Sequence, residues 1–480
     1  MTASVLQPGA MIDGYTLTEL VHRGGMAHLW RVQGPDAGFP LIMKIPRLGH
    51  GDDRAAIVGF EVEQMILPRL AGPHVPRYAG AGDFTERPYL LMEFIYGPTL
   101  RSALAHTPLP AAEVARCGAR VADALHALHR QDVVHLDVKP SSVLFRPDGT
   151  AVLIDFGLAH HHRLPDLLAE EFRLPLGTGP YLSPEQLHCV RDDPRSDVYA
   201  LGVTLYHLAT GVRPFGNPTS IAGLRRRLWR DPVPPRVLVP ELPAWLQEII
   251  LRCLEVDPDR RYPTAAQVAF DLRHPDQVPL GARAERLRRD GPWTVLRRRL
   301  QAIGDDGATR TRRLPDQLAA GRLVMVAVDA TPGREALAEG LRRLVRDVLT
   351  LEADARLACV TVLKSSRLAM DADVDEQGRN LHVQALVELK HWARPLGLAA
   401  DRITYHVLQA PDVAHALLHY AEANHVDHIV IGARGSSMLR RYLGSVSAHV
   451  VAEARCTVTV FRTQASGDDG EEAADTPGFP

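Results

Sequence analysis

Residues 133–158, VVHLDVKPSSVLFRPDGTAVLIDFGL, constrain the chain more than any other stretch. Two valines lead into His135-Leu136-Asp137-Val138-Lys139-Pro140. A second apolar run, 151–154, delivers Asp155-Phe156-Gly157. Between the runs stand Pro147, Asp148 and Gly149, the residue types that specify a tight turn between strands. Two carboxylates, Asp137 and Asp155, are thereby set on loops flanking one short hairpin. Such a pair suits one carboxylate that orients a hydroxyl nucleophile and another that holds Mg2+ on a nucleotide.

The totals bound what else the chain can be. Its 480 residues predict about three domains. With 46% hydrophobic and 23% charged residues it has the composition of a soluble globular protein. A net charge of -2 gives no ground for nucleic-acid binding by the whole chain. Cys117, Cys189, Cys253, Cys359 and Cys456 are far apart and show no metal-ligand spacing, so they read as buried thiols of a reducing cytoplasm. The first residues show no secretory signal pattern. No apolar run reaches the roughly 18 residues that a membrane helix needs, so no membrane span is expected.

Residues 15–32 alternate as two strands around His22-Arg23-Gly24-Gly25-Met26-Ala27. A glycine turn of this kind lets backbone N–H groups lie over phosphates, and it equally serves as a plain hairpin turn. Lys44 stands alone in the apolar strand LIMKIP, 41–46. Helical spacing over 56–70 carries Glu61 and Glu63. An alanine-rich amphipathic helix over 111–130 precedes the opening stretch. Gly177-Thr178-Gly179-Pro180-Tyr181-Leu182-Ser183-Pro184-Glu185 follows it, and Asp197 and Arg261 lie further on.

In this order, over about 250 residues, these segments resemble a bacterial serine/threonine protein kinase. HLDVKP resembles the catalytic loop, and Asp155-Phe156-Gly157 the metal-binding triplet. The resemblance implies a bilobal α+β kinase fold that uses ATP and Mg2+ on protein substrates. It assigns catalytic roles to Asp137, Lys139 and Lys44. His22, Gly24, Gly25, Lys44 and Glu63 would hold the phosphates, with Glu63 preferred to Glu61 as the partner of Lys44. The backbone of Glu93 and Ile95 would meet adenine beside Met92. Asp155 and Ser142 would hold the metal, Ser142 standing where the family has asparagine. Thr178 would bond Asp137 and Lys139, Glu185 would pair with Arg261, and Asp197 would anchor the catalytic loop. Residues 158–176 contain no Ser, Thr or Tyr, and Leu136 replaces the arginine that receives a loop phosphate. Control by phosphorylation of this loop is therefore not expected. The run His160-His161-His162 reads as a solvated loop, since three adjacent side chains cannot converge on one ion. An inactive, nucleotide-sensing scaffold is the alternative reading.

Residues 275–320 form an Arg-rich linker, with ten arginines against four acids over 281–313. Trp293, Leu296, Leu300 and Ile303 predict a helix there, packed on a neighbouring domain or, alternatively, lying on a membrane surface. From 321 to 463 apolar strands alternate with helices, which predicts an α/β doubly wound parallel sheet. Gly432, Gly435, Gly444 and Ser445 follow the fourth strand, where backbone N–H groups can hold phosphate. The segment 428–461 resembles the universal stress protein family, although its glycine spacer is one residue short. The resemblance implies an adenine nucleotide as a further ligand, a regulatory link to the kinase, and a homodimer through the last strand, 456–461. The expected organisation is a kinase domain at 15–274, a linker at 275–320, a universal stress domain at 321–463 and a disordered acidic tail at 464–480.

Overall fold

A computed structural model of the protein describes residues 6–35, 37–48, 54–84, 87–304, 322–329, 335–352, 354–365, 380–399, 401–433 and 445–462. The chain divides into two compact units. The first opens with β1 (Met11–Ile12), β2 (Tyr15–Arg23), β3 (Ala27–Gln33), β4 (Leu41–Pro46), α1 (Arg54–Ile66), β5 (Tyr78–Gly82) and β6 (Tyr89–Glu93). The strands form an antiparallel sheet in the order β1-β2-β3-β4-β6-β5. Leu17, Trp30, Met43 and Leu91 fill its core. In β4 every residue is buried except Lys44, which is half-buried. Burial of its neighbours fixes the strand, and each fully buried Val or Leu contributes roughly 1.5–3 kcal/mol.

The helical part follows. It contains α2 (Ala111–His129), β7 (Val133–Val134), β8 (Val143–Phe145), β9 (Ala151–Leu153), β10 (His160–His161), α3 (Leu167–Glu171), α4 (Arg195–Thr210), α5 (Ile221–Arg225), α6 (Pro235–Leu238), α7 (Ala244–Cys253), α8 (Ala265–Arg273) and α9 (Pro292–Gly304). α2 buries Val114, Val121, Leu125 and Leu128 along one face and packs against α4 and α8. The expected hairpin is present as β8 and β9, paired with Val143 opposite Leu153.

Three expectations are corrected here. His160 and His161 are not a solvated loop. They pair with Val134 and Val133 as a two-residue ladder, and the His160 side chain is buried against Asp166. Among the described residues no group of three or more His, Cys, Asp and Glu side chains is arranged to hold a metal ion. The apolar stripe of α9 does not pack: Trp293, Leu296 and Leu300 are exposed, at 81%, 45% and 63%. The helix is held from its charged side, where Arg298 pairs with Asp231 at 2.9 Å and with Asp290 at 3.1 Å. The side chain of Ile303 lies outside the described residues. Of the cysteines, only Cys253 and Cys359 are buried. Cys189 is exposed and ends a one-turn helix in the left-handed conformation, at φ 59°.

The second unit contains β11 (Leu323–Ala327), α10 (Glu335–Leu351), β12 (Arg356–Lys364), α11 (Leu381–Ala393), β13 (Ile403–Ala410), α12 (Val413–Ala423), β14 (His428–Ala433), α13 (Ser445–Glu453) and β15 (Thr457–Arg462). All strand pairs are parallel, in the order β13-β12-β11-β14-β15. The order reverses between β11 and β14, the switch point where doubly wound sheets open a crevice at their carboxyl ends. Gly340 of α10 lets the helix lie directly on the Phe461 ring, where an added Cβ would stand 2.0 Å from a ring carbon. Among the described residues no helix is long and apolar enough to cross a membrane.

Glu185 and Arg261 form a bidentate ion pair at 2.6 and 2.8 Å, with side chains 1% and 0% exposed. Removing one partner leaves a buried charge without its counterion. Glu185→Ala is expected to lower the unfolding free energy by about 3–5 kcal/mol in urea denaturation.

Candidate active site

The cleft between the sheet and the helical part gathers the charged residues of the opening stretch. Lys44 on β4 donates to Glu63 of α1 and, at 2.8 Å, to Asp155 Oδ1. Glu63, not Glu61, is the carboxylate that meets Lys44. α1 reaches this position because Gly59 lies directly on Gly157. A Cβ at Gly59 would stand 2.9 Å from the Gly157 carbonyl oxygen. Glu63 Oε1 also accepts the Phe156 N–H at 3.3 Å, which ties the helix to the Asp155-Phe156-Gly157 turn.

The electrostatics follow from two acids sharing one base. Burial alone would lower the Lys44 pKa, but Asp155 and Glu63 raise it well above the lysine range, so Lys44 is an ammonium. Burial and the Asp155 charge push the Glu63 carboxyl up against the pull of Lys44. Asp155 is half-exposed to the cleft, and Lys44 holds its carboxyl down at about 2. Asp155 adopts φ 70°, a conformation that L residues rarely take outside such special sites. Lys44 thus sits between a buried carboxyl and the half-exposed carboxylate of Asp155, which turns an anionic group to the cleft.

Asp137 stands on the loop after β7. Its Oδ1 accepts the Thr178 hydroxyl at 2.7 Å and the Thr178 N–H at 3.1 Å. Its Oδ2 pairs with Lys139, whose ammonium also donates to Thr178 Oγ1 at 2.9 Å. Ser142 is buried, and its hydroxyl donates to the Asp137 backbone carbonyl at 3.1 Å. Asp197 accepts the N–H groups of His135 and Leu136 at 2.8 and 2.9 Å. Arg227, buried, donates to the carbonyls of Gly179 and Leu182 and so shapes the turn after Thr178.

Gly24 lies in the β2–β3 turn, where its N–H donates to the Ala27 carbonyl at 3.0 Å and a Cβ would stand 2.9 Å from that oxygen. Gly25 beside it has open space around it, and His22, one residue before the end of β2, stands opposite Leu29. Met92, Glu93 and Ile95 are buried along β6 and beyond its end. In the second unit Gly432, one residue before the end of β14, pairs with Phe461 of β15, and Ser445 opens α13. Gly435 and Gly444 lie outside the described residues.

Sequence reasoning missed one cluster at this site. The Glu93 side chain turns away from the cleft and accepts from Arg146 at 2.6 and 3.0 Å and from the Arg77 N–H at 3.2 Å. Its partner Arg146 is 53 residues away, and no local pattern signals such a pairing.

A protein kinase domain model matches residues 20–272, more than half of the chain, and the chain belongs to that family. A universal stress protein family model matches residues 322–462. Among curated proteins, the serine/threonine-protein kinase PknB of Mycolicibacterium smegmatis is 31% identical over 57% of this chain and 45% of its own length. PknB of Mycobacterium tuberculosis is 30% identical over 65% of this chain and 50% of its own length. A probable serine/threonine-protein kinase of Clostridium perfringens is 28% identical over 54% of this chain and 38% of its own length. The chain thus spans half or less of the length of these relatives. Among solved structures, the Mycobacterium tuberculosis PknI kinase domain is 25% identical, covering 56% of this chain and 99% of that one, with a TM-score of 0.44.

The Glu93 cluster gives a pH signature. Burial would push this carboxyl up, but Arg146 and Arg77 reverse that and hold it at about 2, against an ordinary value of 4.5. A depressed carboxylate contributes its stability in full above the unfolded value. That contribution is lost as pH falls from about 4.5 toward 2. Thermal unfolding of Glu93→Gln is expected to show a lower Tm at neutral pH and a shallower acid decline than wild type.

Proposed function

We propose that the protein is a serine/threonine protein kinase, transferring the γ-phosphate of ATP to protein hydroxyls with Mg2+. The observation that carries this reading is the joint placement of Lys44, Glu63 and Asp155 on one side of the cleft and Asp137, Lys139 and Thr178 on the other. Asp137 would orient the substrate hydroxyl and take its proton. Lys139 would steady the transferring phosphoryl group beside it. Lys44, fixed by Glu63, would hold the α- and β-phosphates under the turn at His22, Gly24 and Gly25. Asp155 would hold Mg2+, and its half-exposed carboxylate, held ionised by Lys44, supports that role. Ser142 would add an oxygen donor, since a hydroxyl that donates its proton to the Asp137 carbonyl keeps its lone pairs. At the adenine, Glu93 would offer its carbonyl, because its N–H is already bonded to Arg77 at 2.8 Å. Ile95 would supply the neighbouring backbone contact. Positioning and charge neutralisation supply the catalysis in such a centre.

A second reading, an inactive nucleotide-binding scaffold, is favoured by one observation: Ser142 is a shorter metal donor than the family's asparagine. Phosphotransfer from labelled ATP to a general protein acceptor separates the two. Wild type is expected to transfer, and Asp137→Ala and Asp155→Ala to lose about 10²- to 10⁴-fold in rate. Ser142→Asn is expected to raise the rate at limiting Mg2+. Wild-type transfer no greater than in the two alanine variants would establish the scaffold.

The second unit would bind an adenine nucleotide at the β11/β14 switch point and pass that signal to the kinase. Gly432 and Ser445 flank that place, and the Gly432, Gly435, Gly444 and Ser445 pattern supports the reading. Kinase activity that is unchanged in the double variant Gly432→Ala, Gly435→Ala would count against the link. β15 ends the sheet, and a second copy could pair along that edge. Sedimentation as a monomer at micromolar concentration would contradict such a dimer.

A further inference from the structure

Asp166 takes no part in the constellation above, yet its side chain is only 9% exposed. Its Oδ1 accepts the Ala169 N–H at 3.1 Å and so caps α3. Its Oδ2 accepts from Arg191 Nε at 2.8 Å and faces His160 Nδ1 at 3.1 Å. His160 and Arg191 are each 10% exposed. Arg191 also donates from Nη2 to the Leu158 carbonyl at 3.0 Å. Burial alone would push the Asp166 carboxyl up. Arg191 and His160 reverse this and hold it well below the usual carboxylate range.

The three residues come from three places that the proposed reaction needs in register. His160 opens β10, whose partner β7 leads straight into the loop of Asp137. The helix capped by Asp166 buries Leu167 and Leu168 and packs against α1, which carries Glu63. Arg191 lies just beyond the turn that runs from Thr178 to Glu185. One carboxylate therefore links the start of the segment 158–176, the helix that carries Glu63 and the chain past the acceptor-side turn. A phosphate added to such a segment works by making one to three charge-assisted hydrogen bonds. Asp166 already has a guanidinium partner in Arg191, a histidine partner in His160 and one backbone donor. The segment itself has no hydroxyl to phosphorylate, and Leu136 offers a phosphate no cation.

We propose that Asp166 is a built-in anion that fixes residues 158–176 against the catalytic loop without phosphorylation, and that Asp166, His160 and Arg191 are positioning residues for phosphoryl transfer. The proposal rests on the kinase reading above, but the brace has a readout of its own. Asp166→Asn keeps a capping oxygen and removes the charge, whereas Asp166→Glu keeps the charge. Amide hydrogen exchange over 158–176 is measured on the full chain, together with kcat and KM for ATP. In Asp166→Asn, exchange over 158–176 is expected to quicken by about tenfold or more while the β2–β6 sheet is unchanged. Its kcat is expected to fall by about 10- to 100-fold with the KM for ATP within about twofold, as misplacement of a positioned segment predicts. Asp166→Glu is expected to recover part of both, and phosphatase treatment to leave the wild-type rate unchanged. Arg191→Lys keeps a cation but loses the second donor to Leu158. It provides the same comparison with a smaller effect if Asp166→Asn does not fold. Exchange and kcat equal to wild type in Asp166→Asn would overturn the brace while leaving the kinase reading intact. A wild-type rate lost on phosphatase treatment would also overturn it. A wild type that transfers no phosphate, with 158–176 still loosened in Asp166→Asn, would overturn the kinase reading and support the brace.

Discussion

The carboxylate of Asp197 is the contact on which the rest of the first unit's chemistry depends. It is fully buried at the start of α4 and accepts from the His135 and Leu136 N–H groups and from His129 Nε2 at 2.9 Å. Leu136 sits at φ 61°, a left-handed conformation that costs an L residue roughly 1–2 kcal/mol. Hydrogen bonds to a charged group contribute about 1.5–3 kcal/mol each, so two of them at this point exceed the strain. Gln186 closes the other side by donating to the Leu136 carbonyl at 2.8 Å. The reversal at Leu136 is what turns Asp137 toward Thr178 and Lys139. An arginine side chain is not needed to hold it, since the clamp acts on the backbone.

The Lys44 side of the cleft depends on a different constraint, the contact of two glycine backbones. Gly59 and Gly157 let α1 approach the Asp155-Phe156-Gly157 turn closely enough for Glu63 to reach Lys44. The pairing is then sustained by charge. Lys44 draws in two carboxylates, and the half-exposed one, Asp155, is the one that faces the cleft. Steric and electrostatic terms therefore agree on a single arrangement, as is expected of a preorganised site.

Much of this was legible in the sequence because its signals are local. Apolar runs with turn residues between them specify β8 and β9, and strand–helix alternation specifies the parallel sheet of the second unit. Motif order brought Lys44, Glu63, Asp137, Lys139, Asp155, Thr178 and Asp197 to their segments. What escaped depends on partners distant in sequence or on backbone shape. Glu93 and Arg146 find each other only through the fold, as do Asp166 and Arg191. The histidine run looked solvated because nothing nearby indicates that β7 will pair with it. The stripe of Trp293, Leu296 and Leu300 has helical spacing, but spacing does not say what covers a helix, and the ion pairs of Arg298 orient α9 instead.

The second unit shows how far topology alone carries an argument. The order β13-β12-β11-β14-β15 creates a switch point, and Gly432 lies near the carboxyl end of the strand beside it. The central claim remains that the charged cleft of the first unit is built for a metal–nucleotide pair. Calorimetric titration with a non-hydrolysable ATP analogue tests it most directly, with and without Mg2+, on the full chain carrying Gly432→Ala and Gly435→Ala and on the same protein with Asp155→Ala. Binding that tightens with Mg2+ and loses that dependence in the Asp155 variant is the predicted result. Binding that ignores Mg2+, or that Asp155→Ala leaves unchanged, would contradict the account.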